Sequence, residues 1–558
     1  MRKGAFTFVL HTHLPYVRKA GRWPHGEEMI HEAMAETYIP LLNALYDLKQ
    51  EGHNPHCTLG LTPILLEQIS DPDVLKHFEL YLEERLSLVH NDIWRHQEAG
   101  DAHLLYLAQF YRDWYNEILQ SFRQRYHRDL VGAFRDLQDE GNLDIITCAA
   151  THGYLPLMSR DSTIYGQLKI GIQSYYRHFG RAPRGIWLPE CGYRPAYLEN
   201  QHYKPGLEEF LADLNLGYFF TDTHVIRGGR MVGKVVGDAI GPYGAIPKRV
   251  LVVREDERPE ATDRTTMRPY YVHSAKVAVF GRDERTGLQV WSAAHGYPGD
   301  YIYREFHRKD AHSGLRYWKI TGDGVDLGAK EYYDPYQAFH KVHEHADHFV
   351  SLVRDEVNAY HAETGGFGIV VSAYDTELFG HWWFEGVAWL KEVLRRLDKD
   401  EDVLLTTAGD YLEEHEPVEV ITLPESSWGN GGGHWTWLNP DTEWMWPLIH
   451  HAERKMEELV ARYPDASEVM KEVLNQAARE LVLLQSSDWP FLVTTGQAKE
   501  YANGRFQQHL ARFNHLASVA ERGTITEEDR KILDSVADLD NPFPDIDYRV
   551  FAKRESSP

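Results

Sequence analysis

Cysteine is nearly absent: Cys57, Cys148 and Cys191 are the only three in 558 residues, far apart and without paired metal spacing. That excludes a disulfide framework and a zinc ribbon, and it predicts a reducing compartment. Long apolar runs are missing too. Residues 5–10 form only a strand-length run that gives way at once to His11, so the apolar core of a signal peptide is lacking, and no later stretch is long enough to span a bilayer. A cytoplasmic protein is the expectation. Positive charge is in deficit, with 59 Lys and Arg against 84 Asp and Glu, a formal net charge of −25. This balance repels nucleic acid and anionic membranes, no long basic run offsets it, and a neutral partner is expected instead. No internal repeat is found.

What is present is length, aromatics and alternation. A chain of this size needs a large barrel with appendages or several domains. Fifteen Trp and 32 Tyr offer flat rings that stack on sugars, although core packing is their commoner use. Strand-length apolar runs at 5–10, 57–61, 143–150, 186–190, 218–221, 277–282, 367–373 and 403–407 alternate with helical periodicity, and residues 289–292 are the second arm of a turn that begins after 282. Several runs end in a polar residue, which predicts an α/β fold, a parallel β/α barrel with its site on the carboxyl-terminal face of the strands. The expected layout is a barrel at 1–64 and 140–415, an inserted helical subdomain at 65–139, a helical carboxyl-terminal domain at 416–537 and a loosely held tail at 538–558.

The polar strand ends carry the chemistry. Residues 185–193 read Gly-Ile-Trp-Leu-Pro-Glu-Cys-Gly-Tyr, a buried strand delivering Glu190 to a turn. Residues 367–373 deliver Asp375 in the same way. His11 and His13, two apart at the first strand end, face the same way. Such a pair ligates a metal, bonds sugar hydroxyls or simply bonds within the fold, and the pair alone leaves all three open. His152 and Asp222 follow two further strands. Two carboxylates among histidines and tryptophans point to acetal cleavage, which needs one acid for the leaving oxygen and one carboxylate at the oxocarbenium-like centre. Residues 227–247 form a glycine-rich loop around Pro242, Tyr243 and Gly244, without a phosphate-binding fingerprint.

Five segments carry a resemblance. His11-Thr12-His13-Leu14-Pro15-Tyr16, Ala150-Thr151-His152-Gly153-Tyr154, Trp187-Leu188-Pro189-Glu190-Cys191-Gly192-Tyr193, Tyr374-Asp375-Thr376-Glu377-Leu378-Phe379-Gly380-His381-Trp382 and Ser486-Ser487-Asp488-Trp489-Pro490 resemble, in order, the sequence regions of glycoside hydrolase family 57 and, within it, the 1,4-α-glucan branching enzymes. The resemblance runs from about residue 4 to about 525. It implies a distorted (β/α)7 barrel with a helical insertion and an α-helical carboxyl-terminal domain, a retaining mechanism, no cofactor, and an α-1,4-glucan as partner of a monomer or homodimer. It makes Glu190 the nucleophile and Asp375 the general acid/base. Arg282, Gly299, Trp428 and Asp488 match glucan-contacting positions, as do Trp23, Trp291 and Trp437, and Tyr243 matches a loop-tip tyrosine that keeps water from the intermediate. His11, His13 and His152 are then assigned to sugar hydroxyls and to holding the carboxylates rather than to a metal. The Arg-rich segment 254–268 departs from the pattern. The rival readings are a 4-α-glucanotransferase or α-amylase of the same family, a metal-dependent barrel deacetylase, and a non-catalytic glucan-binding protein.

Overall fold

A computed structural model describes residues 2–22, 24–199, 201–228, 240–241, 244–245, 262–273, 275–292 and 296–554. Trp23, Tyr243 and residues 254–261 of the Arg-rich segment lie outside them; within the segment, Arg268 pairs with Glu419 at 2.6 Å.

The strand Gly4–Thr12 (β1) is buried along its whole length. On one side it pairs in parallel with Gly368–Asp375, which sets His11 opposite Asp375. On the other it pairs with Val403–Leu405 through its first residues and with Cys57–Leu61 (β2) through its last. Burial on both faces explains why these strands read as unbroken apolar runs. Leu143–Ile146 (β3) continues the sheet from β2. The next position is held only by bridges of Thr147 to Ile186 and of Gly185 to Tyr218. Tyr218–Thr221 (β4) and Val277–Gly281 (β5) follow in parallel. The Asp283 backbone N–H then donates to the Val371 carbonyl at 2.8 Å, closing the ring onto Gly368–Asp375 (β6). The seven-membered circuit is a (β/α)7 barrel.

Three expectations about strands are corrected. β3 ends at Ile146 rather than 150, and the remaining residues turn to deliver His152. The run 186–190 makes bridges but no regular ladder, because Pro183 shortly before it and Pro189 within it contribute no N–H. Gly185 meets β4 so closely that a Cβ there would lie 2.4 Å from the Tyr218 ring. Residues 289–292 are not a strand: Asp283 caps the helix Glu284–Trp291 by accepting from the Thr286 N–H.

Between β2 and β3 the chain makes a long helical hairpin, Pro72–Ala99 and Ala102–Gln120. Asp71 and Asp101 cap their starts and the left-handed Gly100 turns the chain between them. The insertion stops short of the expected boundary at 139, since Leu130–Asp139 packs on β3 and on the helix Asp161–Phe179. Helices Met445–Arg462, Glu468–Leu484 and Lys499–Arg522 pack together, and their core is continuous with Tyr16, Ala150 and Tyr154 of the barrel. Residues 538–551, expected to be loose, are anchored. Phe543, Ile546, Tyr548 and Phe551 are buried, Arg479 donates to the Pro542 carbonyl, and the Phe551 ring lies against Gly166. Those apolar side chains supply the burial that a mobile tail lacks. Among the described residues no helix is long and apolar enough to cross a membrane.

Candidate active site

Glu190 sits on a turn, Pro189–Cys191, with φ 61° and ψ 24°. Cys191 (φ 49°) and His152 (φ 58°) are left-handed as well. Such backbone is costly for residues with a Cβ and persists only where surrounding bonds hold it. Here the Trp428 N–H donates to the Glu190 carbonyl at 3.0 Å, and Tyr193 and Ser426 exchange two backbone bonds. The segment 426–428 therefore runs alongside the Glu190 turn. From it the Trp428 indole donates to Glu190 Oε2 at 2.6 Å. The nucleophile candidate is held by main chain and side chain together.

The histidines form one stack. His13 and His152 rings lie 3.9 Å apart and nearly parallel, and His11 stacks on Trp187 at 4.9 Å. His11 Nε2 and His152 Nε2 are 3.0 Å apart, His152 Nδ1 meets Ser487 Oγ at 2.8 Å, and Glu190 Oε1 lies 4.0 Å from the same Nδ1. Burial, with the neighbouring imidazoles, holds His11 and His152 well below the usual histidine range. Both are neutral near pH 7. The tautomer that loses least has His11 Nε2–H donating to His152 and His152 Nδ1–H donating to Ser487, so that only an acceptor, His11 Nδ1, stays unbonded.

His13 differs. Burial pulls it down, but Asp488, at 3.0 and 3.2 Å from Nε2, more than offsets this and raises it overall. Asp488 also accepts from Ser486 Oγ at 2.6 Å. Ser487 and Asp488 come from the turn between two carboxyl-terminal helices, so the bundle reaches into the barrel mouth.

Arg282, at the end of β5, donates to Asp222 at the end of β4, with nitrogen–oxygen distances of 2.9 and 3.1 Å. Burial opposes the Asp222 charge, yet Arg282 holds it well below the carboxylate range. The Arg282 guanidinium lies 5.7 Å from the Trp428 ring centre. Thus His11, His13, His152, Glu190, Arg282, Trp428 and Asp488 are joined by direct contacts, and Asp375 is the strand neighbour of His11.

Other expected residues lie differently. Trp291 ends its helix half-buried against the barrel core, and Gly299 ends the short turn Tyr297–Gly299 on the same segment. Trp437 is fully buried and stacked on Tyr154 at 4.2 Å, so it offers no face to a glucan: this expected sugar contact is a core residue. Trp428 is also 96 % covered, which makes it a holder of Glu190 rather than a broad platform. Sequence reasoning missed Ser487, Trp187 and Glu377, although all three stand inside the quoted motifs. Among the described residues the three metal-donor groups that lie close together are Glu480, His509 and Asp540 in the bundle core, and Arg505 and Arg512 already donate into them.

Residues 448–551 match the model described as 1,4-alpha-glucan branching enzyme, C-terminal. The chain is 44% identical over 548 residues, 97% of its length and 77% of the relative's, to a 1,4-alpha-glucan branching enzyme of Thermococcus kodakarensis. The crystal structure of that branching enzyme superposes with a TM-score of 0.90 at 42% identity, covering 100% of this chain and 98% of that one. The alpha-amylase AmyC of Thermotoga maritima gives a TM-score of 0.82 at 32% identity, covering 99% and 100%. With residues 7–424 matching the model described as Glycosyl hydrolase family 57, the chain belongs to that family.

Proposed function

We propose that this protein is a 1,4-α-glucan branching enzyme: it cleaves an α-1,4-glucan and transfers the released segment to a glucan 6-hydroxyl, forming an α-1,6 branch. The observation that carries the reading is the bundle side chains at the barrel mouth. Asp488 and Ser487, within the region similar to branching-enzyme carboxyl-terminal segments, bond His13 and His152 beside Glu190. The likeness to an α-amylase fold leaves acceptor choice as the point to test.

In the first step Glu190 attacks the anomeric carbon while protonated Asp375 gives its proton to the departing 4-oxygen. In the second, a glucan 6-hydroxyl attacks the glycosyl-enzyme, Asp375 takes the hydroxyl proton and Glu190 leaves as carboxylate, so configuration is retained. Supporting this assignment, the indole of Trp428 fixes one oxygen of Glu190, and the neutral His11 and His152 place no charge beside it. Arg282 and Asp488 are the proposed glucan contacts at the rim, with Trp23, Trp291 and Gly299. Tyr243 is assigned by the resemblance to excluding water. The proposed setting is the cytoplasm, as monomer or homodimer. The test is to incubate the protein with amylose, debranch the product and compare chain lengths and reducing ends. New α-1,6 linkages without a matching rise in reducing ends are expected; reducing ends that rise with no new branches make it an amylase.

A further inference from the structure

Glu377 lies two residues beyond Asp375, in the turn Thr376–Leu378 that ends β6. It is 6 % exposed. Two donors converge on one of its oxygens: the His13 backbone N–H at 3.2 Å and the Tyr38 hydroxyl at 2.6 Å, both to Oε1. Beside it the hydroxyls of Thr12 and Thr376 meet at 2.7 Å. The end of β1, which carries His11 and His13, is therefore bonded directly to the turn that follows Asp375.

We propose that Glu377 is a positioning residue for the reaction, acting as a neutral carboxylic acid that ties the His13 end of β1 to the Asp375 turn and keeps a further negative charge away from the acid/base. An acid accepting twice at Oε1 can carry its proton on Oε2. The groups that face it are Tyr38 from the helical segment after residue 33, His13 from β1 with Asp488 and Glu190 behind it, and Asp375 on its own strand. Burial first, then the charge of Asp375, outweigh the Tyr38 bond and push the Glu377 carboxyl up to about 8. Interacting carboxylates resist ionising together, and a neutral Glu377 leaves Asp375 free to lose and regain its proton in the two steps. Ionisation of Glu377 then sets an alkaline limit on turnover. None of the five-motif assignments gives this residue a role.

This inference rests on the two-step reading above, and the experiment separates the two. pH–rate profiles on amylose are measured for the parent, E377Q, E377A and Y38F, scoring total bond cleavage and α-1,6 linkages separately. Gln copies the shape of the neutral acid and cannot ionise. E377Q should keep the parent rate at pH 6–7 within about threefold, and E377A should lose more than about tenfold. The alkaline fall of the parent, centred near 8, should vanish or move upward in E377Q. Tyr38 stabilises the ionised form, so Y38F should move the same fall to higher pH even if E377Q folds poorly. A large loss in E377Q at neutral pH means that a charged carboxylate is required and overturns the proposal, as does an alkaline limb unmoved in every variant. A parent that cleaves amylose without branching it defeats the branching reading and leaves the Glu377 comparison intact.

Discussion

Replacing Trp428 with Phe removes one bond, the indole N–H donated to Glu190 Oε2 at 2.6 Å. The aromatic ring stays, so its edge contact with Trp187 at 4.9 Å and the backbone bond from Trp428 N–H to the Glu190 carbonyl are largely kept. A hydrogen bond to an ionised group contributes about 1.5–3 kcal/mol. At roughly 1.4 kcal/mol per tenfold, turnover should fall about ten- to hundredfold. The bond acts on the nucleophile and not on the glucan, so the loss should fall on kcat, with KM nearly unchanged and the same factor for short and long glucans. Trimming a buried ring costs some stability, about 1–3 kcal/mol, and the assay belongs well below the unfolding transition. Initial rates of bond cleavage on a maltooligosaccharide series and on amylose, with a thermal melt of each variant, provide the measurement. A KM effect that grows with glucan length, or a kcat within about twofold of the parent, would refute the reasoning and return Trp428 to the role of sugar platform.

Glu190→Gln should abolish transfer and hydrolysis alike, by several powers of ten, and activity within about tenfold of the parent removes Glu190 as nucleophile. Asp375→Ala, given an activated glycoside and azide, should yield a glycosyl azide of retained configuration; an inverted product on NMR excludes the double displacement. Asp488→Asn tests the His13 pair through pH. The folded His13 is raised above its usual 6.5, so the pair's contribution is complete below about 6.5 and is lost as pH rises through the folded value. The stability gap between parent and variant, about 1.5–3 kcal/mol from denaturant titrations at acidic pH, should therefore shrink on the alkaline side, and a gap that widens there contradicts the assignment. Trp437→Ala should cost about 3–5 kcal/mol of stability without altering product chain length, whereas an unchanged melt with shortened branches means that the ring reaches the glucan.

The sequence by itself determined the barrel strands whose periodicity is local. Runs such as 5–10 and 367–373 are apolar on both faces because one face fills the barrel interior and helices cover the other, and each ends where the chain leaves that cover, so a polar residue marks the end. It also determined the motif order, and with it the candidates Glu190, Asp375 and the three histidines. It placed a strand at 186–190 but could not show that bridges replace a ladder there, and it missed the anchoring of residues 538–551, whose partners lie across the fold. What each site residue does was decided only by tertiary structure. Trp428 and Trp437 look alike in one glycine-rich loop, yet one bonds Glu190 across 238 positions and the other is sealed against Tyr154. His13 is raised because Asp488, 475 positions away, lies beside it, while His11 two residues earlier is held well below the usual histidine range. Glu377 is an acid of unremarked type in the sequence, and its burial in the fold pushes its carboxyl up. Burial and neighbouring charge set a side chain's protonation, and both come from segments that meet only when the chain is folded.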